Sequence, residues 1–280
     1  MEEDPVPTQF GNLNEEAKEK YNALVAKGVT WLEEPIKKGT KYFKDQRKEF
    51  RDLGKQGLAD RFRASAPGTD VDPDIINGLV GMKKPPIPAF AGSPVAPVFT
   101  WLIDNNKPHL YQDDDFTIFL NASFPYLEQY APDKATSAGM SLVHMLACPN
   151  ARIYNAVSLN PDDGGLLERM KTKVEELMDQ EYNEEDPDNF KNKCLMALDA
   201  QMTGKVPSDL VDEYAKDKEA FKHTKSSQMR FYFHIHPNHS VGHLHMHCLQ
   251  NNIRTSYLHE HKNAKYADII KVLNEESGAG

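Results

Sequence analysis

The sequence predicts an α+β protein, an antiparallel sheet with flanking helices, preceded by a helical extension and interrupted by a helical insertion. Three observations carry this reading. Short apolar and alternating runs recur around turn signals, a helix with proline and acidic residues at its start divides them, and a block of prolines separates them from a Glu/Lys/Ala/Leu-rich first segment.

From Asn14 to Ala64 the chain carries the composition of helices, with Asn14 placed as a cap ahead of Glu15 and Glu16. Gly28, Pro35 and Gly39 divide it into shorter pieces, whose apolar residues, among them Tyr42, Phe43 and Phe50, recur at helical spacing. No chemistry is assigned to it. Pro67, Pro73, Pro85, Pro86, Pro88, Pro94 and Pro97 then make residues 67–97 a linker or extended arm. The expected organisation is a helical extension over 1–66, this arm over 67–97, and a folded domain over 98–280.

Within that domain VFTWLI (98–103) reads as an apolar strand and LYQDDDFTIFLNASFP (110–125) as strand around the acidic triplet Asp113 to Asp115, taken as a solvated turn. MSLVHMLACP (140–149) reads as a further strand. Residues 159–182 form a helix, because Pro161, Asp162 and Asp163 suit its first turn. Residues 183–227, highly charged, form an insertion that is helical in parts. QMRFYFHIHP (228–237) and GHLHMHCLQ (242–250) make a close strand pair, and YADIIKVLNEE (266–276) a last helix.

With 280 residues, 39% hydrophobic and 27% charged, the chain can bury a real core. A formal charge of -9 argues against a general nucleic-acid binder, which needs clustered Lys and Arg. No apolar run is long enough for a membrane span and no signal-peptide core follows the acidic start, so a cytoplasmic location is expected, a nuclear one also being compatible. Cys148, Cys194 and Cys248 lack metal-site spacing and fit reduced thiols, Cys248 as core packing.

The densest chemistry lies in His243-Leu244-His245-Met246-His247. On an extended strand, residues at i, i+2 and i+4 leave the same face, so three imidazoles form a row while Leu244, Met246 and Cys248 face the core. Three same-face histidines cost too much desolvation to be ordinary core.

HLHMHCL matches His-φ-His-φ-His-φ-φ, and the chain resembles the histidine triad (HIT) family. FTWLIDNNKPHLYQDDDFTIFLN is similar to that family's opening hairpin, and LVHMLACPNARIYNAVSLNPDDGGLLERM to its next strand and helix start. The resemblance covers roughly 98–182 and 228–275. It implies a HIT-like domain that attacks the α-phosphate of a nucleotide through a covalent nucleotidyl-histidine, as hydrolase or nucleotidyl transferase, with no metal and no cofactor, in a homodimer. A neutral imidazole, with an unperturbed pKa of about 6.5, is a competent nucleophile.

By position the resemblance makes His245 the nucleophile, His247 the residue that orients it through a hydrogen-bond chain to the backbone, and His243 a group near the phosphate or leaving-group oxygens, where a protonated imidazole can stabilise developing charge or give up a proton. Ser240 matches a phosphate-contacting serine of the Hint and aprataxin branches, and read alone it is a turn serine. His236 falls near a histidine of the scavenger decapping and aprataxin branches, though Pro237 rearranges the loop. Asn121 matches the ribose-binding position. Arg152 stands where the family often has histidine, and read alone it is a surface arginine. His239 replaces a glutamine, and together with His234 it belongs to a second set of histidines facing the substrate. The chain's size and His236 favour cap-like or polyphosphate substrates.

Two other readings stay open. His234, His236, His243 and His245 on paired strands have the spacing of zinc or iron ligands in metal-dependent hydrolases and lyases. A HIT fold that binds a nucleotide without turnover is the other.

Overall fold

Six strands and eight α-helices organise the residues that the computed structural model describes, which are 39–80, 98–121, 141–236, 239, 241–250 and 263–278. The Asn14 cap, the breaks at Gly28 and Pro35, Pro85 to Pro97, Pro237 and Ser240 lie outside the described residues.

Helix α1 (Gly39–Asp52) buries Phe43, Arg47 and Phe50, and α2 (Lys55–Ala64) buries Lys55, Ala59 and Phe62. Both sets step by four and three residues, which places each on one helical face. Gly54 separates the helices at φ +69°, a left-handed conformation that suits glycine. The two helices pack directly on the sheet domain, since Phe43, Phe50, Ala59 and Phe62 belong to the same buried cluster as Met145, Phe233 and Met246. Arg47, fully buried, donates to the carbonyls of Val157 (3.1 Å) and Leu159 (3.0 Å) and pairs with Glu276.

The proline-rich stretch is less irregular than its composition suggests. Helix α3 (Pro73–Val80) begins with Pro73, which is tolerated in a first turn because its missing N–H has no intrahelical partner there. Ile75 and Leu79 bury its inner face.

The expected strand at VFTWLI is a helix, α4 (Val98–Asp104). A strand would put Phe99, Trp101 and Ile103 on one face. Instead Phe99 packs with Leu102 and Ile103 at i, i+3 and i+4, while Trp101 is 53% exposed. A short apolar run satisfies both periodicities, and packing decides between them.

The opening hairpin forms further on, between β1 (Tyr111–Gln112) and β2 (Phe116–Leu120). Its turn is built by Asp113, whose Oδ1 accepts the N–H groups of Asp115 and Phe116, both at 2.9 Å. Strand β3 (Met145–Pro149) pairs antiparallel with β2, and a 3₁₀ turn at Pro161–Asp163 leads into helix α5 (Gly164–Asp179). Helices α6 (Phe190–Met202) and α7 (Val211–Lys222) follow in the charged segment, and Phe190, Cys194, Leu198 and Phe221 from it join the main core.

Strands β4 (Met229–His234), β5 (Met246–Gln250) and β6 (Asn263–Lys265) complete the sheet, and helix α8 (Tyr266–Ser277) closes it through Ile269, Val272 and Leu273. The sheet order is β1-β2-β3-β5-β4-β6, every neighbour antiparallel, an α+β arrangement of the HIT-like kind expected. Its register sorts the residues by face. Ala147, Met246 and Phe233 are cross-strand partners within the main core, whereas Leu146, His247 and Tyr232 align on the opposite face. Phe99, Phe119, Leu146 and Cys148 form a smaller apolar cluster on that second face, under α4. All three described cysteines are buried free thiols, and Cys248 packs in the core. Among the described residues no helix is long and apolar enough to cross a membrane.

Candidate functional site

The histidine row assembles across a strand end rather than along a strand. Only His247 lies in β5; His243, Leu244 and His245 occupy the segment before it, fixed where the Leu244 N–H donates to the Ile153 carbonyl at 2.7 Å. Leu244 still turns into the core and the three histidines away from it, so the alternation survives without a ladder. All three are buried, at 1%, 5% and 7% exposure for His243, His245 and His247.

Each ring has different hydrogen bonds, and these settle what each nitrogen can do. His245 Nδ1 lies 2.8 Å from the carbonyl of His243. A carbonyl only accepts, so in the neutral ring Nδ1 holds the proton and Nε2 carries the lone pair.

His243 differs. Its Nε2 donates to the Pro149 carbonyl (2.8 Å), and its Nδ1 accepts from the Thr100 hydroxyl on α4 (2.7 Å). Burial lowers its pKa to about 4, an effect only partly offset by the bond to Pro149. The expectation of a protonated His243 beside the leaving group therefore does not fit this geometry. Both nitrogens serve the fold, and desolvation keeps the ring neutral.

His247 Nδ1 meets His144 Nε2 at 2.8 Å, and His144 Nδ1 meets the Asn121 amide nitrogen at 2.9 Å. The chain behind His247 thus runs through a second imidazole to a side-chain amide. With the Asn121 amide donating, His144 Nε2 carries a proton toward His247 Nδ1, and His247 Nε2 carries one in turn. Asn121, expected at the ribose, also donates its backbone N–H to the His144 carbonyl at 2.8 Å.

His234, at the end of β4, enters the same group, with its ring centroid 3.9 Å from that of His247 and 5.7 Å from that of His245. His245 and His247 are 4.7 Å apart. One ligand atom from each of His234, His245 and His247 can be chosen such that all lie within 4.8 Å of one another. The set expected for metal binding, His234, His236, His243 and His245, is not what comes together: His243 is committed to Pro149 and Thr100, and His236 lies in a separate group.

That separate group sits under the N-terminal helices. His236 and His239 have ring centroids 5.5 Å apart, with Phe50 edge-on to His236 at 5.4 Å and Tyr154 edge-on to His239 at 5.2 Å. Lys55 Nζ approaches His236 Nε2 at 3.4 Å and donates to the Leu79 carbonyl at 2.9 Å. Burial lowers the Lys55 pKa, with Glu49 opposing. The His236 N–H is held by Asn155 Oδ1 at 3.0 Å.

Arg152 is not a surface residue. At 2% exposure it pairs with Asp104 at 2.6 Å and donates to Ser65 Oγ and the Thr69 carbonyl, bridging α4 to the segment after α2. Ser240 lies outside the described residues.

Four participants were missed in the sequence: Thr100, Phe99, His144 and Lys55. Phe99 lies 5.0 Å from the His245 ring, centroid to centroid. His144 carried a usable signal, because it stands two residues before Leu146, the cross-strand partner of His247. Phe99 and Thr100 were hidden by the strand assignment of 98–103, and nothing local marks Lys55.

Residues 97–194 match a family described as "Scavenger mRNA decapping enzyme C-term binding". The match spans α4 through β3 and α5 into α6 and ends ahead of the triad. No curated protein matches the chain.

Proposed function

We propose that the chain acts as a histidine triad hydrolase of the decapping type, cleaving a nucleotide at its α-phosphate through a nucleotidyl-His245; the family match over residues 97–194 supports this reading. The observation that carries this is the bond from His245 Nδ1 to the His243 carbonyl, which assigns the lone pair to Nε2. Nucleophiles activated by fixed orientation need only a partner held in line.

In the first step Nε2 attacks the α-phosphorus, a P–N bond forms, and the bond to the leaving-group oxygen breaks with its electron pair. His247 Nε2–H, the tautomer that the Asn121–His144 chain selects, donates a hydrogen bond to the charge developing on the departing oxygen, which leaves as an anion. In the second step water attacks the same phosphorus, the P–N pair returns to Nε2, the water's proton passes to solvent, and a nucleoside monophosphate leaves. His243 acts as a brace, since its carbonyl fixes the nucleophile while its ring is held by Pro149 and Thr100.

For substrate we favour a cap-like dinucleotide or a dinucleoside polyphosphate. The decapping-type match supports this choice. Turnover assays on a capped dinucleotide, a dinucleoside tetraphosphate and a nucleoside phosphoramidate test it. Hydrolysis of either of the first two with release of a nucleoside monophosphate is expected, and turnover of the phosphoramidate alone contradicts the substrate assignment.

A further inference from the structure

We propose that His234, His245 and His247 form a binding site for a zinc-class dication, and that its occupation silences the nucleophile. The second clause rests on the hydrolase reading above; the first does not.

Convergence is the primary observation. The three side chains offer ligand atoms within 4.8 Å of one another, and all three residues are buried. A tetrahedral zinc, with Zn–N of about 2.0–2.1 Å, asks for nitrogen separations near roughly 3.4 Å, so modest ring rotations close the set. The positions are rigid ones. His247 is inside β5, His234 ends β4, and the register Tyr232↔His247 and Phe233↔Met246 puts His234 next in line across from His245.

Support behind the ligands is the second observation. Metal-binding histidines commonly engage their other nitrogen with a carbonyl or another fixed group, which sets tautomer and ring orientation. His245 Nδ1 is engaged by the His243 carbonyl, and His247 Nδ1 by His144, itself bound to Asn121. Both rings therefore leave Nε2 as the nitrogen for the metal, His245 with its lone pair already there and His247 after a change of tautomer that takes the proton off Nε2.

Three imidazoles without a carboxylate in the set select zinc, copper or nickel over magnesium or calcium. Three protein ligands also leave a fourth position for water or a phosphate oxygen. The His245 Nε2 lone pair that would form the P–N bond is the one a metal would take, so the two uses exclude each other.

The test uses the full chain, stripped with EDTA and titrated with Zn²⁺ by calorimetry, alongside His234→Gln, His247→Gln and the exposed-site controls His109→Gln and His223→Gln. One zinc per chain is expected. Losing a ligand should weaken binding by more than the roughly 10–100-fold that changes behind the ligands cost, with both controls unchanged. No binding by the wild type, or equal affinity in His234→Gln, overturns the site. Should a variant fail to fold, the wild-type Co²⁺ complex decides: strong tetrahedral ligand-field bands support the site, and a weak octahedral spectrum overturns it.

A second arm measures nucleotide adduct on the protein with EDTA and with one equivalent of Zn²⁺. Loss of adduct with zinc is expected, and undiminished adduct overturns the silencing. Absence of adduct in both conditions, beside one-to-one zinc binding, contradicts the hydrolase reading and supports the metal site.

Discussion

Two groups of histidines in this protein are built from different materials. The first, His245, His247, His234 and His144, is made by strand pairing and ring-to-ring contact on one face of the sheet. The second, His236 and His239, is held by side chains from distant segments: Phe50 on α1, Lys55 on α2 and Tyr154 after β3. Strand pairing fixes His234 and His247 while hydrogen bonds to the His243 carbonyl and to Asn121 hold His245 and His144, so these imidazoles can be positioned to within the tolerance that covalent chemistry requires. The second depends on how the N-terminal helices dock, which suits recognition more than bond making.

The sharpest way to break this contrast is His245→Ala. Loss of the nucleophile should lower turnover by about 10³-fold or more, whereas His239→Ala in the second group should act mainly on KM. Steady-state kinetics of both variants check it, and comparable kcat losses erase the distinction.

Next in size is Arg152, the strut that ties α4 to the segment after α2. Arg152→Met leaves Asp104 largely buried without its partner and should destabilise the fold by about 3 kcal/mol or more, read from urea unfolding. A change under about 0.5 kcal/mol, the range of ordinary surface substitutions, contradicts the strut.

Of similar magnitude is the pH response of His243. Its folded pKa, lowered to about 4 by burial, lies below the value of about 6.5 for an unfolded histidine. Between those values the unfolded chain takes up a proton that the folded chain refuses, so stability is complete above pH 6.5 and is lost as pH falls toward 4. Full protonation of the unfolded state corresponds to about 3 kcal/mol. Urea unfolding at pH 7.5 and 4.5 should show a larger loss in wild type than in His243→Gln; equal losses contradict the buried neutral ring.

The smallest expected effect is that of His144→Ala. Removing the link between Asn121 and His247 should lower kcat by about 10²-fold at nearly constant KM and alter the acid limb of the pH–rate profile, which loss of packing alone would not do. An unchanged kcat separates His144 from the chemistry.

How much of this was legible in the sequence follows the same contrast. The β4–β5 pair, α5 and α8 each show a clear period and form within the expected ranges, although β5 starts only at Met246 and leaves His243 and His245 ahead of it. The segment 98–103 misleads because its short apolar run fits either period, and burial of Phe99 against Leu102 and Ile103 selects the helix. Pro73 looks like a breaker and instead starts α3, since first-turn proline costs nothing. His243, His245 and His247 were visible as a motif, but their division of labour was not. It is set by Pro149, Thr100 and His144, whose proximity follows from tertiary packing alone.

The central claim is that the His245 Nε2 lone pair makes a bond to phosphorus. Rapid quench of wild-type and His245→Ala protein with a capped dinucleotide, followed by peptide mass spectrometry at alkaline pH, tests it most directly. The account predicts an added nucleoside monophosphate on the peptide containing His245 in the wild type and none in the variant. An equal adduct in His245→Ala, or an adduct on any other residue, contradicts it.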